Sequence, residues 1–287
     1  MRINSITTIL ILAPIISVYA QKGFTIDFNI KTEPIENASI NQMAIGTLFY
    51  KDIGTKNKLT NAFKYESTKV TNEMESYLKQ NYVSNYSGTQ FNSFEDTFEF
   101  LHKLSEKTKL TLAIEPTANY ENNFEISDIT ILGGIELNQT LNKNNSIDLG
   151  IKRMTVFGKP EILPTVSFNH QFNKDAYLKL GFPNSELVYS DSIRNKFSLN
   201  NVFSGSSYNL NSPIATDNAT DITKLGFSQM ETTLQIERKM DTSWYVSFKG
   251  GYSSNKEFKF SDENRINEMN QSLKNGGVFS VSIKYKL

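Results

Sequence analysis

The feature that most constrains this chain is a period of two. Apolar and polar residues alternate in one segment after another, and a backbone that sends successive side chains to opposite faces is a β-strand. Phe24, Ile26, Phe28 and Ile30 interleave with Thr25, Asp27, Asn29 and Lys31. The same alternation returns at Leu110–Ile114, Ile129–Leu137, Val166–Phe172 and Trp244–Tyr252. It is clearest at the end, where Phe279, Val281, Ile283, Tyr285 and Leu287 alternate with Ser280, Ser282, Lys284 and Lys286. Beyond the first twenty residues no apolar run reaches the roughly 18 residues that a spanning helix needs. If the chain crosses a membrane, it does so with strands.

The first twenty residues read as a cleaved signal peptide: Arg2, an apolar stretch Ile6–Ile16, then Val18-Tyr-Ala20 as the cleavage site. Residues 21–287 are then one domain, since no repeat, linker or low-complexity tract divides them. Lys plus Arg total 30 and Asp plus Glu total 30, so no net field favours nucleic acid, and the absence of cysteine excludes a disulfide scaffold.

Two kinds of connection alternate along the chain. Short polar turns are expected at Gly54–Asn57, Ser105–Thr108, Asn142–Asn145, Asn173–Asp175, Asp191–Asn195 and Met240–Thr242. Longer loops are expected near Thr71–Ser93, Asn211–Lys224 and Ser253–Gly276. Tight turns at one end and long loops at the other are the asymmetry of transmembrane barrels. Two strands for each of six short turns, plus the first and last, give about fourteen; if Ala176–Phe182 and Ser185–Ser190 collapse into a loop, twelve remain. The expected fold is therefore all-β, an antiparallel up-and-down transmembrane β-barrel. Aromatics toward strand ends (Tyr50, Tyr65, Tyr120, Trp244, Tyr252, Tyr285) suit an interfacial girdle better than a soluble sandwich.

The closing segment Phe279-Ser-Val-Ser-Ile-Lys-Tyr-Lys-Leu287 resembles the C-terminal insertion strand of bacterial outer-membrane barrels, with Leu287 in place of the usual terminal Phe. The layout of residues 21–287 is similar to that of uncharacterised Gram-negative outer-membrane barrels. That resemblance implies an outer-membrane location, lipid and the barrel assembly machinery as partners, and no particular activity. Pairing of the last strand with Phe24–Ile30 would place Lys284 and Lys286 opposite Asp27 and its neighbours.

Neither catalysis, a cofactor nor a metal is expected. The two histidines, His102 and His170, fall in the apolar register just before short turns, where an amphipathic ring suits a membrane interface. No nucleophile elbow, His-Glu-x-x-His motif or phosphate-binding glycine loop occurs after residue 20. Asp262, Glu263, Asn264 and Glu268 match no calcium-loop spacing. Residues 72–82 carry Met74 and Leu78 on one face of a short amphipathic helix.

What remains is the polar face of the strands, expected to line a lumen: Asp27, Lys31, Lys64, Glu66, Glu99, Glu115, Glu136, Asp148, Lys152, Glu231, Glu237, Lys284 and Lys286. Mixed signs favour a narrow, weakly selective channel or a solute-binding, porin-like barrel over a strongly selective pore. The expected ligand is a small polar solute. A lipid-directed enzyme and a surface adhesin acting through its loops are the alternatives.

Overall fold

The computed structural model describes residues 23–35, 38–71, 90–214, 221–265 and 268–287. The signal-peptide reading of Met1–Ala20 and the helical reading of Asn72–Tyr82 both fall outside the described residues. Among the described residues the strands are β1 (Gly23–Ile35), β2 (Ala38–Ile53), β3 (Asn57–Thr71), β4 (Gln90–Lys103), β5 (Thr108–Tyr120), β6 (Ile129–Thr140), β7 (Asn145–Met154), β8 (Glu161–Gln171), β9 (Ala176–Phe182), β10 (Asn184–Ser190), β11 (Asn195–Ile214), β12 (Ile222–Lys239), β13 (Trp244–Ser261), β14 (Glu268–Ser272) and β15 (Gly276–Lys286). Each consecutive pair from β1 to β13 is antiparallel, and β15 bonds to both β13 and β1. The result is a closed barrel of fourteen strands with β14 as an extra strand. β14 borders Glu257–Ser261 of β13, beyond the stretch Trp244–Ser253 that β15 covers. The fourteen-strand count holds, because β9 and β10 are paired strands, with Lys179 opposite Glu186.

The start of β1, the end of β15 and the tight turns share one end of the barrel, called here the turn end; the other is the loop end. The turns share one chemistry. Ser105, Asn142, Ser192 and Asp241 each accept hydrogen bonds from the backbone N–H groups two and three residues on, and Asn173 accepts one from Asp175. A side-chain oxygen thus replaces the backbone partner that a turn lacks. At Asp241, the N–H groups of Trp244 and Ser243 hold the carboxyl below the usual carboxylate range.

One face of the wall is apolar and exposed, with Ile30, Ile114, Ile131, Leu149, Ile151, Leu234, Phe248 and Phe279 among its residues. Apolar outer belts of this kind face lipid in transmembrane barrels. At the turn end Trp244 packs on Tyr285 with ring centroids 5.0 Å apart, as an interfacial girdle requires. Tyr50 departs from that expectation: it is paired with Gly23 in the register of the opposite face, and its ring covers the space a side chain at Gly23 would need.

At the loop end the cylinder is not uniform. β9 and β10 have only seven residues each and are joined by Pro183 alone, whereas β11 continues for 20 residues. Above Val202, β11 has no β10 residue to pair with. Its edge is satisfied by other groups: Phe203 N donates to Pro183 O (3.0 Å), Gly205 O accepts from Thr155 Oγ1 (2.8 Å) and Asn209 O accepts from Glu121 N (3.2 Å). Asn209 is also bridged to Tyr120, so β11 meets the end of β5 directly. The wall therefore takes a shortcut past β6–β10.

The loops of the bypassed strands are docked. Asn211 Oδ1 accepts from the N–H groups of Asn122 and Asn123 (2.7 and 2.9 Å), and Asn209 Nδ2 donates to Asp128 (2.9 Å). Burial in this contact pushes the Asp128 carboxyl above its ordinary value, against the hydrogen bonds it accepts from Glu125 and Asn209. The β7–β8 connection lies against the outer-register glycines Gly205 and Gly226, with Phe157 packed between Phe182 and Phe203. A Cβ on Gly226 would stand 2.2 Å from Gly158 O, so only glycine permits this approach.

Replacing Gly226 with valine should therefore lift the β7–β8 connection while leaving the ring closed. The expected outcome is destabilisation of about 1–3 kcal/mol with new protease cleavage within residues 155–160. Unchanged cleavage and unfolding would mean that the connection is not held by this contact.

Candidate functional site in the barrel lumen

The face opposite the apolar belt carries the polar residues of the period-two pattern. Near the turn end Asp27 is paired with Lys284 in the β1–β15 register, as the seam pairing anticipates. The closer ionic partner is different, however. Lys284 Nζ donates to Glu237 Oε2 at 2.8 Å, against 4.0 Å to Asp27, and Lys286 approaches Glu237 at 3.7 Å. Glu237 enters from β12, two strands away across the interior, and carries both lysines.

Around the wall at mid-height are two further groups. Lys64 pairs with Glu66 at 2.9 Å and approaches Glu95 at 4.0 Å, while Glu115 accepts from Thr97 Oγ1 at 3.1 Å. Glu99 lies in the same register as Glu95 and makes no ion pair among the described residues. On the next strands Lys152 pairs with Glu136 at 2.8 Å, and Asp148 accepts from Ser167 (2.7 Å), Asn169 (2.8 Å) and Asn138. A recess of about 260 Å³ opens beside these amides, lined in part by Asn138, Thr140, Ser146, Asn169 and Tyr177.

Lys31 and Glu231 belong to a separate cluster nearer the loop end, whose other members the sequence reading missed. Glu33 and Lys256 have fully buried side chains and lie 2.8 Å apart. Lys31 pairs with Glu33 at 2.7 Å and also with Glu231. Gln229 Nε2 and Ser253 Oγ each donate to Glu33 at 3.1 Å. Every carboxylate oxygen of Glu33 thus has a donor, which is what makes a buried charge tolerable.

Beyond this cluster the lumen is filled by apolar side chains. Ile40, Val70 and Phe91 from β2–β4 meet Tyr208, Leu210, Ile222, Leu225, Phe258 and Phe260 from β11–β13. Phe91 and Tyr208 have ring centroids 4.9 Å apart, joining β4 to β11 across the end of β5. Side chains from the wall form a plug, with each buried large apolar group contributing about 1.5–3 kcal/mol.

A bulge creates this arrangement. The β12–β13 register shifts between Ser228 and Met230, and Asn255 adopts φ 52°. One extra residue in β13 inverts the alternation. Ser247, Lys249 and Ser253 face inward before it, and Lys256, Phe258 and Phe260 face inward after it.

A family model described as "Domain of unknown function (DUF6268)" matches residues 31–286. The chain belongs to that family. None of the curated proteins matches it. Among solved structures it is similar to a Pseudomonas aeruginosa FadL homologue (8% identity, 92% of this chain and 89% of that chain, TM-score 0.45). It is also similar to the KdgM porin in complex with disordered oligogalacturonate (8%, 91% and 98%, 0.39) and to the translocator domain of autotransporter NalP from Neisseria meningitidis (6%, 98% and 95%, 0.38). The barrel assignment rests on the closed ladder itself.

In this family member, removing one partner of the buried pair should be costly. Lys256→Met leaves Glu33 buried with Lys31 as its remaining ion-pair partner, with an expected loss of about 1–3 kcal/mol. Adding Glu33→Leu to that variant should recover much of it. Denaturant unfolding of the two single variants and the double variant tests this coupling; additive losses would contradict it.

Proposed function

We propose that the chain is a non-enzymatic outer-membrane barrel, exported with a signal peptide cleaved near Ala20, that admits small polar solutes as a narrow, weakly selective channel. The observation that carries this reading is the division of the lumen. Toward the turns it is polar, lined by interspersed acids, bases and amides; toward the loops it is apolar and plugged. A lining of both signs suits small neutral or zwitterionic solutes better than one ion type. The layered plug supports a resting state with little conductance.

The apolar belt and the ring of Trp244 and Tyr285 support a bilayer location, with turns toward the periplasm as in other barrels of this kind. The histidines lend little to a lipid-enzyme reading. Each pairs with an asparagine amide, not with a carboxylate that could orient a catalytic base.

Two experiments test the proposal. Cell fractionation should place the protein in the outer membrane with heat-modifiable migration; a freely soluble monomer without detergent would overturn the location. In planar bilayers the wild type should show small or infrequent conductance steps. The double variant Phe91→Ala, Phe260→Ala should show larger and steadier ones. Silence from both folded proteins would overturn the channel.

A further inference from the structure

The two histidines occupy duplicate environments that the channel reading does not use. Asn57 is the first residue of β3 and pairs across to His102, which pairs on its other side to Leu110. Asn145 is the first residue of β7 and pairs across to His170, which pairs on its other side to Leu178. In both rows Nδ1 of the imidazole lies 2.6 Å from the asparagine Oδ1. In both, the ring lies nearly parallel to a phenylalanine two residues earlier, at 16° for Phe100 and 15° for Phe168. An exposed apolar residue follows two positions later, Leu104 or Phe172.

This geometry fixes the chemistry that each ring offers. A carbonyl oxygen accepts, so Nδ1 carries the proton and donates to Asn Oδ1. Nε2 of the neutral ring then presents a lone pair. Nε2 has no hydrogen-bond partner among the described residues. Both rings lie on the outer face, at the turn-end edge of the apolar belt, where lipid headgroups lie if the barrel spans a bilayer. Each following turn holds an exposed acid–base pair, Glu106-Lys107 or Lys174-Asp175. An acceptor, a carboxylate and a lysine together complement a headgroup that carries both an ammonium and a phosphate.

We propose that the rows Asn57–His102 and Asn145–His170 are two equivalent seats for a phospholipid headgroup bearing a primary ammonium, with its N–H donating to Nε2. The inference rests on the bilayer location proposed above. Phosphatidylethanolamine has the donor; phosphatidylcholine, fully methylated, does not.

The test is native mass spectrometry of the full-length barrel extracted from bilayers of equal phosphatidylethanolamine and phosphatidylcholine. The wild type should retain the ethanolamine lipid in two copies, enriched roughly two- to tenfold, the range that one net hydrogen bond supplies. His102→Phe and His170→Phe should each remove one copy, and the pair both. Stepwise N-methylation of the lipid tests the wild type alone, with retention falling when the last N–H is lost. Equal retention of both lipids, or enrichment that survives both replacements, would overturn the proposal. Heat-modifiable migration in the same preparations reports insertion separately, so failure of the lipid preference is distinguishable from failure of the bilayer location.

Discussion

The backbone hydrogen bonds of β11 are the constraint on which the rest of the architecture depends. A strand in an apolar medium cannot leave N–H and C=O groups unpaired. When β9 and β10 stop after seven residues, the upper part of β11 loses its neighbour. Donors and acceptors from Pro183, Thr155 and Glu121 replace that strand along one edge. The bridge from Asn209 to Tyr120 then brings β5 toward β11, so the loop end closes with fewer strands than the turn end.

Narrowing explains why the interior changes character with height. Where all fourteen strands contribute, the cross-section leaves room for solvated side chains. Past the shortcut the apolar residues of β2–β4 and β11–β13 form one cluster, in which a water would have few polar partners. The plug is then a geometric consequence of a smaller ring filled with apolar residues. The Glu33 cluster lies at the boundary between these regimes, where an ion pair is buried on one side by the plug and is reached on the other by polar neighbours.

The strands and their order follow from alternation in the clearest segments, from Phe24 to Leu287, together with the short polar turns that join them in pairs. β9 and β10 were the ambiguous pair, because only Pro183 and Asn184 separate two short segments, and their pairing settles the count at fourteen. The ends of the longest strands were not legible. Asn211–Lys224 and Ser253–Gly276 look like polar loops, yet β11 runs to Ile214 and β13 to Ser261. Their apolar residues, Tyr208, Leu225, Phe258 and Phe260, pack on one another and on Ile40, Val70 and Phe91 from β2–β4, contacts that no local window contains. Lys256 was hidden for a second reason: the bulge at Asn255 reverses parity, and nothing in Ser-Ser-Asn-Lys announces it. Glu33 shares the parity of Asp27 and Lys31, and its position was readable; its burial depended on Lys256.

The ion pairs at the seam show the same limit in a smaller form. Parity and antiparallel register correctly set Asp27 opposite Lys284, but register fixes only nearest strands. Glu237 reaches both lysines from β12 because a curved wall brings side chains two strands apart toward a common axis. On a flat sheet the directly opposed residue would be the better-placed partner. Inside a barrel the partner is chosen by curvature, and charge lists read strand by strand undercount the connections that hold a lumen together. The same convergence lets Lys31 on β1 reach Glu231 on β12, so the network near the loop end joins the seam to the strands that carry the plug.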